Sequence, residues 1–246
     1  MARRGRRYPR RKRRGRERKR KEKKIGGIGY ALSLAALVIT ATVGVRTIFS
    51  LFDSYALSNI LKFSSGAIVG GVLSAIFIRG HLSVAIHEFK HAVVSLLVGN
   101  KWKKMVVHRE SGYFEYEYSK DAEEYNAMIS LAPYWLPIFT VSALVIYYFT
   151  RALVRDAGIA VIGAAWAADT VLGFRDVSPR QTDFSKLTGG FIIGLIYVIA
   201  AYLTYTTVLI SWIMQGSYGP LQIFYRISDF VFALAAYYIE RAEKVK

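Results

Sequence analysis

Long apolar blocks separated by short polar ones organise this chain. Residues 25–45 run about 21 positions without a charge, enough for a helix to cross about 30 Å of hydrocarbon. A second run, 63–78, is punctuated by Ser64, Ser65, Gly66, Gly70 and Gly71, small residues that let helices approach closely in lipid. Further runs follow at 82–98, at 128–149 (interrupted by Pro133 and Pro137), at 157–174 and at 191–214. The run at 221–239 holds Arg226 and Asp229 and fits an interfacial or a final packed helix. The stretch 100–126 is polar. Within it, residues 105–118 read as two short strands: Ser111-Gly112 is a turn signal, and Tyr113 to Tyr118 alternates aromatic with acidic residues. The pattern predicts a mainly α, polytopic membrane helical bundle of about six spans, with a small β-hairpin (103–119) between the third and fourth runs.

Composition sharpens this picture. Hydrophobic residues make up 53% and the mean hydropathy is +0.27, above the usual soluble range. Of the net charge of +17, residues 1–24 carry +14, from sixteen Lys/Arg against Glu17 and Glu22. This tail reads as a disordered, solvated segment that places the N-terminus in the cytoplasm by the positive-inside rule. It is also suited to anionic lipid. Nucleic acid is disfavoured as a partner, because Tyr8 is the tail's one stacking residue. The tail is too long and basic for a cleavable signal peptide. With no cysteine, any metal must take His and carboxylate ligands. The expected division is a basic tail (1–24), N-terminal spans (25–79), a core with the hairpin (80–195), and a remainder (196–246) ending in an amphipathic helix.

Chemistry concentrates in His87-Glu88-Phe89-Lys90-His91. On a helix, His87 and His91 share a face and can bind one Zn²⁺. Glu88 can then serve as general base on a zinc-bound water. Ionisable side chains in an apolar helix are costly and mark function. A catalytic zinc needs a third protein ligand and an open position. His81 lies about 600° around the helix from His87, off the ligand face. His108 sits in the hairpin and reads as a surface residue. Glu110 has the spacing of a soluble zincin's glutamate but stands beside a turn signal. The loop between the fifth and sixth runs offers Asp183, at a helix start just before the sixth run, and Asp176 as second choice. Asp169, inside the fifth run, fits a buried hydrogen bond to a Ser, Thr or Tyr of a neighbouring helix. Lys90 requires a carboxylate partner or must snorkel out.

Four matches make the chain resemble the site-2-type intramembrane zinc metalloproteases over about residues 80–195. His87-Glu88-Phe89-Lys90-His91-Ala92 resembles that family's His-Glu-x-x-His-Ala run, followed by Gly99. Ser111-Gly112-Tyr113 resembles its membrane-associated β region. Ser130-Leu131-Ala132-Pro133 resembles its small-residue-and-proline helix start. Pro179 to Asp183, followed by Leu187-Thr188-Gly189, resembles its later aspartate motif. Two features depart from the pattern: Lys90 stands where glycine is usual, and Phe184 follows Asp183. The resemblance implies His87, His91 and Asp183 as Zn²⁺ ligands, Glu88 as catalytic acid/base, and a membrane-spanning or peptide substrate. Cleavage would then need the substrate unwound, a task for the hairpin edge, and water admitted past His81 and the 175–186 loop. The alternatives are a non-catalytic membrane adaptor or binding protein with a vestigial or structural metal site, and a soluble-facing membrane zincin using Glu110. If every span is complete the hairpin is external, whereas Lys101, Lys103 and Lys104 favour the cytoplasmic side. A re-entrant 63–78 segment would remove that conflict. Nothing in the pattern specifies an oligomer.

Overall fold

The structure is a computed structural model and describes residues 23–24, 27–117 and 126–243. The basic tail up to residue 22, and Tyr118 of the hairpin's second arm, lie outside them. The described residues are mostly helical. The first span joins α1 (Gly27–Ile39), a π-turn (Thr40–Gly44) and α2 (Val45–Ser50). After it come α3 (Ser54–Phe77), α4 (His81–Leu97), strands β2 (Lys101–Val107) and β3 (Gly112–Glu117), and α5 (Asn126–Trp135). Next are α6 (Ile138–Arg175), the one-turn α7 (Thr182–Ser185), α8 (Gly190–Gln215) and α9 (Tyr218–Glu243). A strand β1 (Lys23–Lys24) pairs in parallel with β4 (Leu187–Thr188).

Among the described residues, four helices are long and apolar enough to cross a membrane: Gly29–Ser50, Ser54–Phe77, Asp156–Arg175 and Gly190–Gln215. Ala127–Trp135 with Ile138–Val154, bent by 66°, makes up to five. That is fewer than the six expected. The motif helix α4 has 17 residues, about 25 Å, short of a full crossing. The fourth run is broken at Pro137, because proline removes an N–H and restricts the preceding residue. The apolar run starting at residue 63 proves to be the C-terminal part of a longer helix, which begins at Ser54, nine residues before the run, where Asp53 accepts from Ala56 N (2.7 Å) as its cap.

Two parallel helix pairs set the architecture. In α6 the backbone leaves helical values at Val154, and its arms fold back on each other, with Thr140 bonded to Asp169 and the Tyr147 ring against Gly158. The second arm runs parallel to α3. A Cβ on Gly66 would strike the Ala160 carbonyl, one on Gly70 would strike Ala164, and one on Gly163 would strike the Phe63 carbonyl. Gly66 and Gly70 of the small-residue pattern thus mark a backbone-to-backbone contact. Arg175 closes this pair by donating to the Ile78 and Ser74 carbonyls. The first span runs parallel to α8, through Lys23 with Leu187, Thr40 Oγ1 with Thr204 Oγ1 (3.1 Å), and Gln215 with the Leu51 carbonyl. The start of α4, the loop after Arg175, Asp183 and Lys23–Lys24 therefore share one end of the bundle.

The hairpin is antiparallel, with Val107 opposite Gly112 and Lys101 opposite Glu117. Its turn is His108 to Ser111, closed by His108 N–H to the Ser111 carbonyl (2.8 Å), so Gly112 begins the second strand rather than completing the turn. The turn returns to the His81 end of α4, where Arg109 Cγ lies 3.7 Å from a Cβ built on Gly80. Hence the hairpin lies back along α4. The run at 63–78, for which a re-entrant form was one option, lies in an unbroken helix long and apolar enough to cross a membrane.

Gly163→Val should lower the thermal unfolding midpoint in detergent, costing at least about 1–3 kcal/mol through overpacking. Gly71→Ala, whose Cβ would sit 3.6 Å from Ala167 Cβ, should leave it unchanged. At the opposite end, the Ala56 amide and then the Gln215 side chain hold the Asp53 carboxyl below its ordinary value. Its stabilisation is therefore present above the ordinary carboxylate range and lost as pH falls through the lowered folded value. Asp53→Asn should flatten the acid limb of the midpoint–pH curve.

Candidate metal centre

Helical spacing brings His87 and His91 to one face of α4, with their rings 5.0 Å apart edge to face. Asp183 arrives from 96 residues away in the chain. It sits in the first turn of α7, a helix start just before the sixth run as the sequence suggested, but on a separate one-turn helix ahead of β4 and the long α8. Gly189 (φ +99°) and Gly190 (φ +73°) make the left-handed turn that separates the two. Phe184 is fully buried beside it, among Leu131, Tyr134, Leu187 and Val198, and so anchors α7 in the bundle.

Both histidines point at one carboxylate oxygen. His87 Nε2 lies 3.3 Å and His91 Nε2 3.5 Å from Asp183 Oδ2. The three side chains are 19%, 12% and 12% exposed, sheltered yet reachable. Their ligand atoms all lie within 4.8 Å of one another. A tetrahedral zinc with bonds of about 2.0–2.2 Å separates ligand atoms by roughly 3.3–3.6 Å, so the two histidine–aspartate distances fit a metal held among these atoms.

The surroundings orient each ligand. The His91 Nδ1–H donates to the Ile129 carbonyl (2.7 Å), which leaves Nε2 as the free lone pair. Tyr134 donates to Asp183 Oδ2 (3.2 Å), and Ser130 donates to Oδ1 (3.2 Å). Tyr134 also packs edge-on against His87, ring centres 5.6 Å apart. These partners all come from α5. Sequence reasoning missed Tyr134, Ser130 and the Ile129 carbonyl as parts of the site, although Ser130 and Pro133 belonged to one of the quoted motifs.

Glu88 is buried on the hairpin side of α4. A Cβ on Gly112 would come within 2.8 Å of Glu88 Cγ. Glycine is required there for strand and helix to approach this closely. β3 is therefore the strand that lies against the motif at Glu88.

The remaining candidates separate. Glu110 and His108 are exposed in the hairpin turn, His81 is exposed at the start of α4, and none belongs to the His87–His91–Asp183 group. Asp176 lines a small cavity of about 10 Å³ with Ser83, Ile86, His87, Lys90, Pro133 and Leu172, room for about one water. Asp169 does bond a neighbouring threonine, with Thr140 N–H at 2.8 Å and Oγ1 at 2.9 Å. It is also the carboxylate that Lys90 requires, Nζ to Oδ1 being 3.1 Å.

No curated protein and no solved structure matches the chain. A family model described as Peptidase M50B-like matches residues 67–236, a stretch containing the motif helix, the hairpin, Asp183 and all of α8. With two thirds of its length matched, and the motif histidines facing a distant aspartate inside an apolar bundle, the chain belongs to the Peptidase M50B-like family, a family of site-2 proteases.

Proposed function

We propose that this protein is an intramembrane zinc metalloendopeptidase that hydrolyses peptide bonds of membrane-spanning substrates. His87, His91 and Asp183 would hold the ion, and Glu88 would move the proton. The observation that carries this reading is the convergence of two histidine nitrogens on one oriented carboxylate within a bundle of spanning helices. When bound, zinc polarises a carbonyl and lowers the pKa of a coordinated water to about 7.

The chain's own groups do the rest. Glu88 takes a proton from the attacking water and returns it to the leaving amine. The close packing of Gly112 on Glu88 Cγ sets its side chain beside β3. Along the edge of that strand an unwound substrate can add as a further strand, with main-chain bonds holding it extended next to Glu88. The polar cavity from Asp176 and Ser83 to His87 supplies a route for water into an otherwise apolar interior. By the positive-inside rule, the end bearing Lys23 and Lys24 is cytoplasmic, which puts the mouth of the site on that side, and the working core spans residues 80–195. The basic tail adds affinity for anionic lipid.

Cleavage of a panel of membrane-spanning substrates by the parent and by Glu88→Gln, each with and without a chelator, tests this reading. Glu88→Gln should retain one Zn²⁺ per chain and lose roughly 10²- to 10⁴-fold in rate; equal rates would refute proteolysis. Zinc content should vanish in Asp183→Ala and persist in Glu110→Ala, and the reverse would exclude Asp183 as the third ligand. Tyr134→Phe, which removes a donor to Asp183, should weaken zinc binding by roughly 10-fold or more, measured by competition with a chromophoric chelator.

A further inference from the structure

The motif carries one residue that zinc hydrolysis does not use. Lys90 Nζ and Asp169 Oδ1 are 3.1 Å apart, with both side chains 2% exposed. Among the described residues no other ion pair is buried as deeply on both sides. Such a pair is weak support for stability, because desolvating two charges offsets their attraction and apolar replacements are often as good. Its value lies instead in fixing one arrangement among several.

The arrangement it fixes is the rotation of α4. With 3.6 residues per turn, Lys90 lies about 100° from His91 and about 60° from His87 on the helix surface. A helix with its side chains is about 10–12 Å across, so a rotation of about 10° moves a side-chain tip by about 1 Å. A misplacement of that size can cost roughly 100-fold in rate. Asp169 itself is held. Its other oxygen accepts both the N–H and the hydroxyl of Thr140, in the first turn of α6, where backbone amides lack helical partners. That turn follows the 66° bend after α5, and α5 supplies the Ile129, Ser130 and Tyr134 contacts to His91 and Asp183. One carboxylate thus ties the ligand-bearing helix to the first turn of α6, just past the helix that orients the ligands.

We infer that Lys90 and Asp169 are positioning residues that set the rotation of α4, so that His87 and His91 meet Asp183. The inference builds on the metal-site reading above, and its test separates the two. In the double variant Lys90→Met/Asp169→Leu, apolar side chains of similar volume replace the pair. Its thermal midpoint without metal should stay close to the parent's, while Zn²⁺ affinity falls roughly 10- to 100-fold and the absorption spectrum of the Co²⁺-substituted protein shifts. Parental affinity and spectrum would overturn the proposal. A second arm needs no metal. Because the chain has no cysteine, His87→Cys/Asp183→Cys can be linked by a short bis-methanethiosulfonate reagent. Adding Lys90→Met should reduce the cross-linked fraction several-fold, and adding Lys90→Arg, which keeps the ion pair, should preserve most of it. Equal yields in all three backgrounds would also overturn the proposal. A parent protein that takes up no Zn²⁺ counts against the metal reading alone, and the cross-linking arm still decides what the pair does.

Discussion

The Asp183 carboxylate is the contact on which the site's geometry depends. It joins groups 96 residues apart in the chain, and inside an apolar bundle a carboxylate must be answered on both oxygens. Oδ2 faces His87, His91 and Tyr134, while Oδ1 takes Ser130. Motif helix α4, loop helix α7 and helix α5 are therefore held to one another at a single polar point. The hydrophobic packing of Phe184 against Tyr134 and Val198 delivers the carboxylate to that point, and hydrogen bonding fixes its direction.

Much of this was legible in the sequence because membrane helices write their length and composition plainly. The apolar runs, the HExxH spacing and the glycines Gly66 and Gly70 of α3 each translate directly into a helix, a ligand face and a close helix contact. Asp183 stood out by its place just before the sixth apolar run; Asp176 shares that loop, and only the packing sets Asp183, and not Asp176, beside both histidines. The cost of burying a charge required a partner for Lys90 but could not choose it, because pairing across 79 residues depends on which helices become neighbours.

What escaped the sequence was mostly a matter of direction. Hydropathy records whether a segment is apolar, not whether the chain turns back before crossing. Where about six spans were expected, the described residues hold four helices of spanning length, or five with the bent pair, and the hairpin lies back along α4. Pro137 announced a break but not its 66° angle. The break near Val154 was legible as the charged gap between the runs 128–149 and 157–174, but not that Asp156 there would pair with Lys62 of α3.

The parallel pairing of the first span with α8 also bears on how the protein is made. Lys23 and Lys24, at the beginning of the chain, meet Leu187 and Thr188, and the two strands lead into helices that stay together as far as Gln215. During synthesis the first span must wait in the bilayer until α8 emerges, since contacts of such long sequence separation form late. Asp183 lies just before the strand that closes this pair. The motif histidines are thus translated long before their aspartate partner, and the site comes together only when most of the bundle exists to enclose it.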